Sequence, residues 1–221
     1  MNRHERRRQK KSNKLSQTVN PDLLQGIRLH TNKNFKEAEA LYNRVLLSEP
    51  TNYEALRHLG ILCQDLKEYE RAYNYFMQAL KTNPKGFQAL SNLATIHMLN
   101  KNYKLAYKCL INSYRINSNY VPTINNLASY YHKVHESKNA LHYAELSLSI
   151  QPNNPLALIQ YAKALTINNE LEKAIDLLEK LNENFPDNDD IKYDLSTAYR
   201  EMGEFKKANK LSTDVFKKDY K

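Results

Sequence analysis

The chain has 221 residues, of which 41% are hydrophobic and 26% charged, with a net charge of +9. That balance can build a core and excludes a wholly disordered chain, while no apolar run approaches the roughly 20 residues that cross a bilayer. Four glycines, with no Asn-Gly or Asp-Gly turn between alternating segments, exclude a hairpin-rich β fold and point to helices.

Taken in chain order, the first element is a basic arm. Residues 1–18 hold Arg3, Arg6, Arg7, Arg8, Lys10, Lys11 and Lys14 against the single Glu5, so six of the nine net positive charges lie there. The rest of the chain is nearly neutral. No apolar stretch follows the arm as it would in a secretory leader, so the expected compartment is the cytoplasm. The arm has neither interleaved aromatics for stacking on bases nor an apolar face for membrane insertion. A solvated, disordered arm is expected, with RNA or membrane contact through it the lesser alternatives.

From residue 19 the chain repeats. Ala38, Ala72, Ala106, Ala140, Ala174 and Ala208 recur every 34 residues. In the same register run Gly26, Gly60, Ala94, Ala128, Ala162 and Ser196, and also Pro50, Pro84, Pro152 and Pro186 with Ser118 in the gap. The repeats are 19–52, 53–86, 87–120, 121–154, 155–188 and 189–221. In the second, Leu56, Leu59, Gly60 and Cys63 share one helical face, and Tyr69, Ala72, Phe76 and Ala79 share another. A short polar turn, Lys67-Glu68, separates them, and Asn83-Pro84 ends the second helix. Each repeat is thus predicted to be a helix hairpin.

Small residues let paired helices approach closely, and Gly60 with Ala72 is the predicted crossing. Tyr42, Phe76, Leu110 and Leu178 fill one equivalent position beside it, and Phe35, Tyr69, Tyr103, Leu171 and Phe205 another. Cys63 and Cys109, 46 residues apart in apolar surroundings, are expected to be buried free thiols. In the last helix Leu211, Val215 and Phe216 are expected to turn inward beneath a cap of lysines that includes Lys217 and Lys218.

The period, the small-residue pair, the aromatic before the second helix and the closing proline resemble the tetratricopeptide repeat. The resemblance spans 19–221. It implies an all-α, right-handed superhelical solenoid of about six helix-turn-helix repeats, whose first helices line a concave face, and a non-enzymatic scaffold that binds protein. Where that family often has an early tryptophan, this chain has Asp22, Leu56, Leu90, Ile124, Leu158 and Lys192.

The implied groove carries a polar ladder of His58, Asn92, Asn126, Gln160 and Asp194, flanked by Arg57, Asn125 and Lys163. Side-chain amides both donate and accept, so they can pair with an extended peptide backbone whatever its sequence. Arg57, His58, Asn92, Asn125, Asn126, Gln160, Lys163 and Asp194 are therefore the candidate peptide-binding residues. Asn92 and Asn126, in LSNLA and INNLA, are similar to the asparagine ladder in the repeat arm of O-linked N-acetylglucosamine transferases. That similarity implies a second possible partner, a separately encoded modifying enzyme such as a glycosyltransferase. A carboxylate clamp for acidic tails is matched only by Arg57 and Asn92, with Ile61 and Pro122 at its other positions.

No phosphate-binding, dinucleotide-binding, nucleophile-elbow or zinc-protease motif occurs. His132, His135 and His142 lack the further ligands of a closed zinc site, and no metal or other cofactor is expected. Asp187, Asp189 and Asp190 fall at a repeat junction, where an Asp is expected to cap the next helix.

Overall fold

The computed structural model describes residues 20–216, with side chains through Ser212. The arm predicted over 1–18, and Val215 and Phe216, expected to face inward, with the lysines after them, lie outside the described residues or side chains. Twelve helices account for the described fold, and no strand occurs among these residues. They are α1 Pro21–Thr31, α2 Phe35–Ser48, α3 Tyr53–Asp65, α4 Tyr69–Thr82, α5 Phe87–Leu99, α6 Tyr103–Ile116, α7 Val121–Lys133, α8 Ser137–Ile150, α9 Pro155–Ile167, α10 Leu171–Asn184, α11 Asp189–Glu201 and α12 Phe205–Phe216. From α3 onward every first helix opens on the residue predicted from the period, and all six second helices begin 34 residues apart.

The local chemistry that sets these boundaries recurs. Asn52, Asn154 and Asn188 cap α3, α9 and α11, their side-chain oxygens accepting from backbone N–H groups of the first turn at 2.9–3.3 Å. Such caps satisfy donors that the helix itself cannot. The structure corrects the expectation at the last junction: the cap is Asn188, while Asp189 and Asp190 sit in the first turn of α11, where their charge complements the helix dipole.

Between the two helices of each hairpin one residue takes a left-handed backbone: Lys33, Lys67, Lys101, His135, Asn169 and Gly203, with φ between 56° and 84°. The next N–H reaches five residues back, as in Asn34 to Leu29 (2.9 Å) and Glu68 to Cys63 (2.8 Å). This double closure satisfies carbonyls at the helix C-terminus. It is a fourth series with the 34-residue period, hidden from the sequence because only its last member is glycine.

The described residues divide into two compact units, 20–96 and 97–216. In the first, α1 packs on α2, α2 on α3 and α3 on α4, and the first helices α1 and α3 also touch. Its core joins Leu23, Ala38, Tyr42, Val45, Ala55, Leu59 and Leu62. Gly26 and Gly60 make the close approaches: a Cβ on Gly26 would lie 2.6 Å from the Tyr42 ring, and one on Gly60 2.4 Å from the Phe76 ring. The aromatic ring, rather than Ala72, is therefore what Gly60 accommodates.

In the second unit the first helices α7, α9 and α11 are neighbours in turn, each also packed on its own second helix. Ala162 and Leu178 share a core with Ile159, Ile175, Leu181, Ile191, Leu195, Ala198 and Tyr199. Where the first unit pairs glycine with an aromatic ring, this one pairs Ala162 with Leu178 and Ser196 with Ser212, whose hydroxyls are 3.0 Å apart. The expected core series headed by Phe35 needs correcting. Phe35, Tyr69, Tyr103 and Leu171 are only half-buried, and Phe205 is 61% exposed. Each is the first residue of its helix and so sits at the edge of the hairpin.

Candidate functional site

The polar residues of the first helices fall on both units, and each unit disposes of them differently. In the first unit His58 and Arg57 are half-buried on α3. Arg57 donates to Glu54 at 2.6 Å and lies 2.8 Å from Nε2 of His58. The Tyr42 ring stacks on the imidazole with centroids 5.6 Å apart. Burial first, then the charge of Arg57, pushes the His58 imidazole down to about 3, so it is neutral at pH 7. A guanidinium beside a neutral imidazole can donate to a carbonyl oxygen without a free positive charge, because Glu54 balances it.

Next to it runs a relay absent from the sequence reading. Nε2 of His30 lies 2.9 Å from the Asp65 carboxylate, and its Nδ1 is 3.4 Å from the hydroxyl of the fully buried Tyr42. Burial raises the Tyr42 phenol to about 12, so it stays protonated. A groove of about 640 Å³ opens here between α1 and α3, lined by Ile27, His30, Phe35, His58, Ile61 and Asp65. His30 and Asp65 are one repeat plus one residue apart, a spacing that brings neighbouring first helices together. Asn92, on α5, is half-buried.

In the second unit Asn126, Gln160, Lys163 and Asp194 are likewise half-buried on α7, α9 and α11. Lys163 and Asp194 come together, with Nζ 3.2 Å from Oδ2 and side chains 26% and 13% exposed. Burial raises the Asp194 carboxyl above its ordinary range, and Lys163 opposes that rise. His132, on α7, is pushed down to about 4 by burial and by the charge of Lys163.

Asn125 is placed elsewhere. It is buried, and its Oδ1 accepts a 2.6 Å hydrogen bond from Ser147 on α8, so it ties a hairpin together instead of facing the ladder. Three hydroxyls around the ladder, those of Thr95, Thr166 and Thr197, donate to carbonyls four residues back on their own helices.

A tyrosine cluster was equally unforeseen. Tyr107 stacks on Tyr130 with centroids 5.4 Å apart and Tyr131 stacks on Tyr143 at 5.5 Å, while Tyr103 and Tyr114 meet the group edge-on. No two of the tyrosines at 103, 107, 114, 130, 131 and 143 are 34 residues apart, so only the fold assembles the cluster. Cys63 is buried and Cys109 half-buried, both as free thiols; burial raises the Cys63 thiol to about 11, away from reactivity. Among the described residues no three His, Cys, Asp or Glu side chains converge as a metal site, and no helix is long and apolar enough to cross a membrane.

Profiles described as tetratricopeptide repeat match residues 62–185, 167–219 and 23–74. The chain belongs to the tetratricopeptide repeat family. No curated protein matches it by sequence. Among solved structures it is similar to PilW, a type IV pilus biogenesis factor, at 18% identity and a TM-score of 0.74, covering 90% of this chain and 93% of that one. It is also similar to PilF of Pseudomonas aeruginosa, at 18% identity and a TM-score of 0.68 over 88% of each chain. A third is YrrB, described as a repeat protein with an unusual peptide-binding site, at 18% identity and a TM-score of 0.54 over 77% of this chain and 88% of that one. At such identity these likenesses establish the fold. Tetratricopeptide repeats serve generally as non-catalytic scaffolds for protein-protein interaction, and that is the class to which this fold belongs.

Proposed function

We propose that the chain is an adaptor that binds an extended segment of a protein partner along its first-helix faces. The observation that carries this reading is the half-buried ladder of His58, Asn92, Asn126, Gln160 and Asp194, one residue per repeat at the same helical position. Half-burial suits recognition: each group is held in place by packing yet keeps an open side, and an amide or neutral imidazole matches the donors and acceptors of a peptide backbone. The first helices α7, α9 and α11, which touch in sequence, supply the neighbouring rungs Asn126, Gln160 and Asp194 to a ligand lying across them. Asn125 plays a structural part in this reading.

The test is affinity capture with the wild-type chain and with an Asn92→Ala/Asn126→Ala variant of unchanged helical content. Loss of captured proteins from the variant is expected. Identical partner sets would overturn the ladder while sparing the scaffold, and a modifying enzyme recovered with the wild type would make the chain a recruiting subunit.

A further inference from the structure

The groove between α1 and α3 in the first unit carries polar groups that the fold positions and leaves open. His58, Ile61 and Asp65 stand at i, i+3 and i+7 on α3, one face of a helix, and all three line the groove together with Ile27, His30 and Phe35. Arg57 lies 2.8 Å from Nε2 of His58, and a guanidinium only donates, so the neutral imidazole carries its proton on Nδ1. That N–H has no partner among the described residues. Oδ2 of Asp65 accepts from Nε2 of His30 at 2.9 Å, which leaves Oδ1 as an acceptor on a side chain 50% exposed. Both groups are anchored on one ring: Tyr42, fully buried, stacks on His58 and places its hydroxyl 3.4 Å from Nδ1 of His30.

The spacing of donor and acceptor defines a ligand. Seven residues of helix rise about 10 Å, and three residues of extended chain cover about the same length. A peptide carbonyl at one end of such a stretch can accept from His58 while an N–H at the other end donates to Asp65. Ile27, Phe35 and Ile61 line the same groove and are half-buried, so the stretch passes over an apolar hollow. Arg57 is balanced by Glu54 at 2.6 Å, and Lys33 on the groove wall offsets Asp65, so neither sign of charge is favoured. A charged side chain seated among Ile27, Phe35 and Ile61 would lose its hydration. A large apolar one covers surface that the protein leaves open.

Building on the reading of first-helix faces as the partner's path, we propose that this groove is a subsite for three extended residues of the partner whose middle side chain is large and apolar, such as Leu or Phe. His58 and Asp65 hold the backbone at its two ends, and Ile27, Phe35 and Ile61 receive the side chain. The ladder then supplies sequence-independent grip, and this subsite supplies sequence preference.

The experiment titrates the full chain, labelled with ¹³C at its isoleucine methyls, with host peptides Ac-Ser-Ser-X-Ser-Ser-NHCH₃, where X is Leu, Phe, Ala, Lys or Glu. The Leu and Phe peptides should bind about tenfold tighter than the Ala peptide, the scale set by covering part of a large apolar side chain. The Ile27 and Ile61 methyl resonances should move with the Leu peptide. Ile61→Ala, with wild-type helical content, removes one wall and should bring the preference for Leu over Ala to within about threefold of unity. Asp65→Ala should instead weaken the Leu and Ala peptides alike, by about fivefold, because it removes the backbone acceptor and leaves the hollow intact. The methyl shifts are read on the wild type, so the proposal is tested even if a variant does not fold. Tightest binding by the Lys or Glu peptide, or a Leu preference that survives Ile61→Ala, would overturn the subsite. Shifts confined to isoleucines other than Ile27 and Ile61 would overturn it and leave the groove reading standing. No shift with any peptide would overturn it too, and capture by the wild type against the Asn92→Ala/Asn126→Ala variant then decides the groove reading on its own.

Discussion

The two units answer the same packing problem with different residues. In the first, glycine on the first helix faces an aromatic ring, Gly26 with Tyr42 and Gly60 with Phe76. In the second, the equivalent places hold Ala162 with Leu178 in one apolar core and Ser196 with Ser212 in a hydrogen-bonded pair. Other second-unit contacts are polar too: between neighbouring repeats the Ser113 and Thr123 hydroxyls lie 2.6 Å apart, and within a hairpin Ser147 donates to Asn125 at 2.6 Å. Gly with Phe and Ala with Leu fill the crossing to a similar extent, whereas Ser with Ser fills it less and is tied by a hydrogen bond. What one unit secures by shape, the other secures partly by directional bonds.

The sharpest way to break this comparison is at Gly60. Gly60→Ala should destabilise the first unit by about 3 kcal/mol, the upper range for an overpacked core, read from chemical denaturation. Shrinking the ring it meets, as Gly60→Ala/Phe76→Leu, rebuilds the alanine-leucine crossing of the second unit and should recover at least about 1 kcal/mol of coupling. Simple additivity of the two substitutions would show that ring and glycine are not partners.

In the second unit the corresponding test is chemical. Ser147→Ala leaves the Asn125 oxygen buried without its donor and should cost about 2 kcal/mol, whereas Asn125→Leu/Ser147→Ala should cost less than the single change, because both polar groups are then gone. Equal or greater loss in the double variant would mean that the pair contributes by packing alone. The turns, which the units share, call for the opposite sign. Lys67→Gly relieves a left-handed lysine and should stabilise by about 1 kcal/mol, while Gly203→Ala, at the equivalent position, should destabilise by a similar amount.

The smallest effect is a slope. His58 and His132 have folded values near 3 and 4, below the unfolded value, so the unfolded chain binds more protons between there and about 6.5. Their stabilising burial as neutral rings is complete above that range and is lost as pH falls, by at most about 1.4 kcal/mol per pH unit for each ring. Asp194 has a raised folded value and works the other way, gaining stability as acid protonates it. Asp194→Asn should therefore steepen the acid loss in the second unit and leave the first unit unchanged, as amide hydrogen exchange between pH 7 and about 4 would record.

Much of this architecture is legible in the sequence because a repeat states its core six times. Ala38 and its five successors are small in one register, and the helix starts follow from them to the residue. Features that recur in geometry but not in residue type stay hidden. The left-handed turn position accepts Lys, His and Asn as well as Gly, since it faces solvent and the backbone closure rather than the side chain defines it. The His30–Asp65–Tyr42 relay and the tyrosine cluster arise where neighbouring helices meet, and no period marks them. Asn125 shows the converse error: next to a ladder residue in sequence, it turns inward because one step along a helix changes the face.

The central claim is that first-helix faces carry the partner, and amide exchange of the chain bound to a captured partner tests it most directly. New protection should appear on α3, α5, α7, α9 and α11 around His58, Asn92, Asn126, Gln160 and Asp194. Protection confined to the second helices α2, α4, α6, α8, α10 and α12 would contradict it.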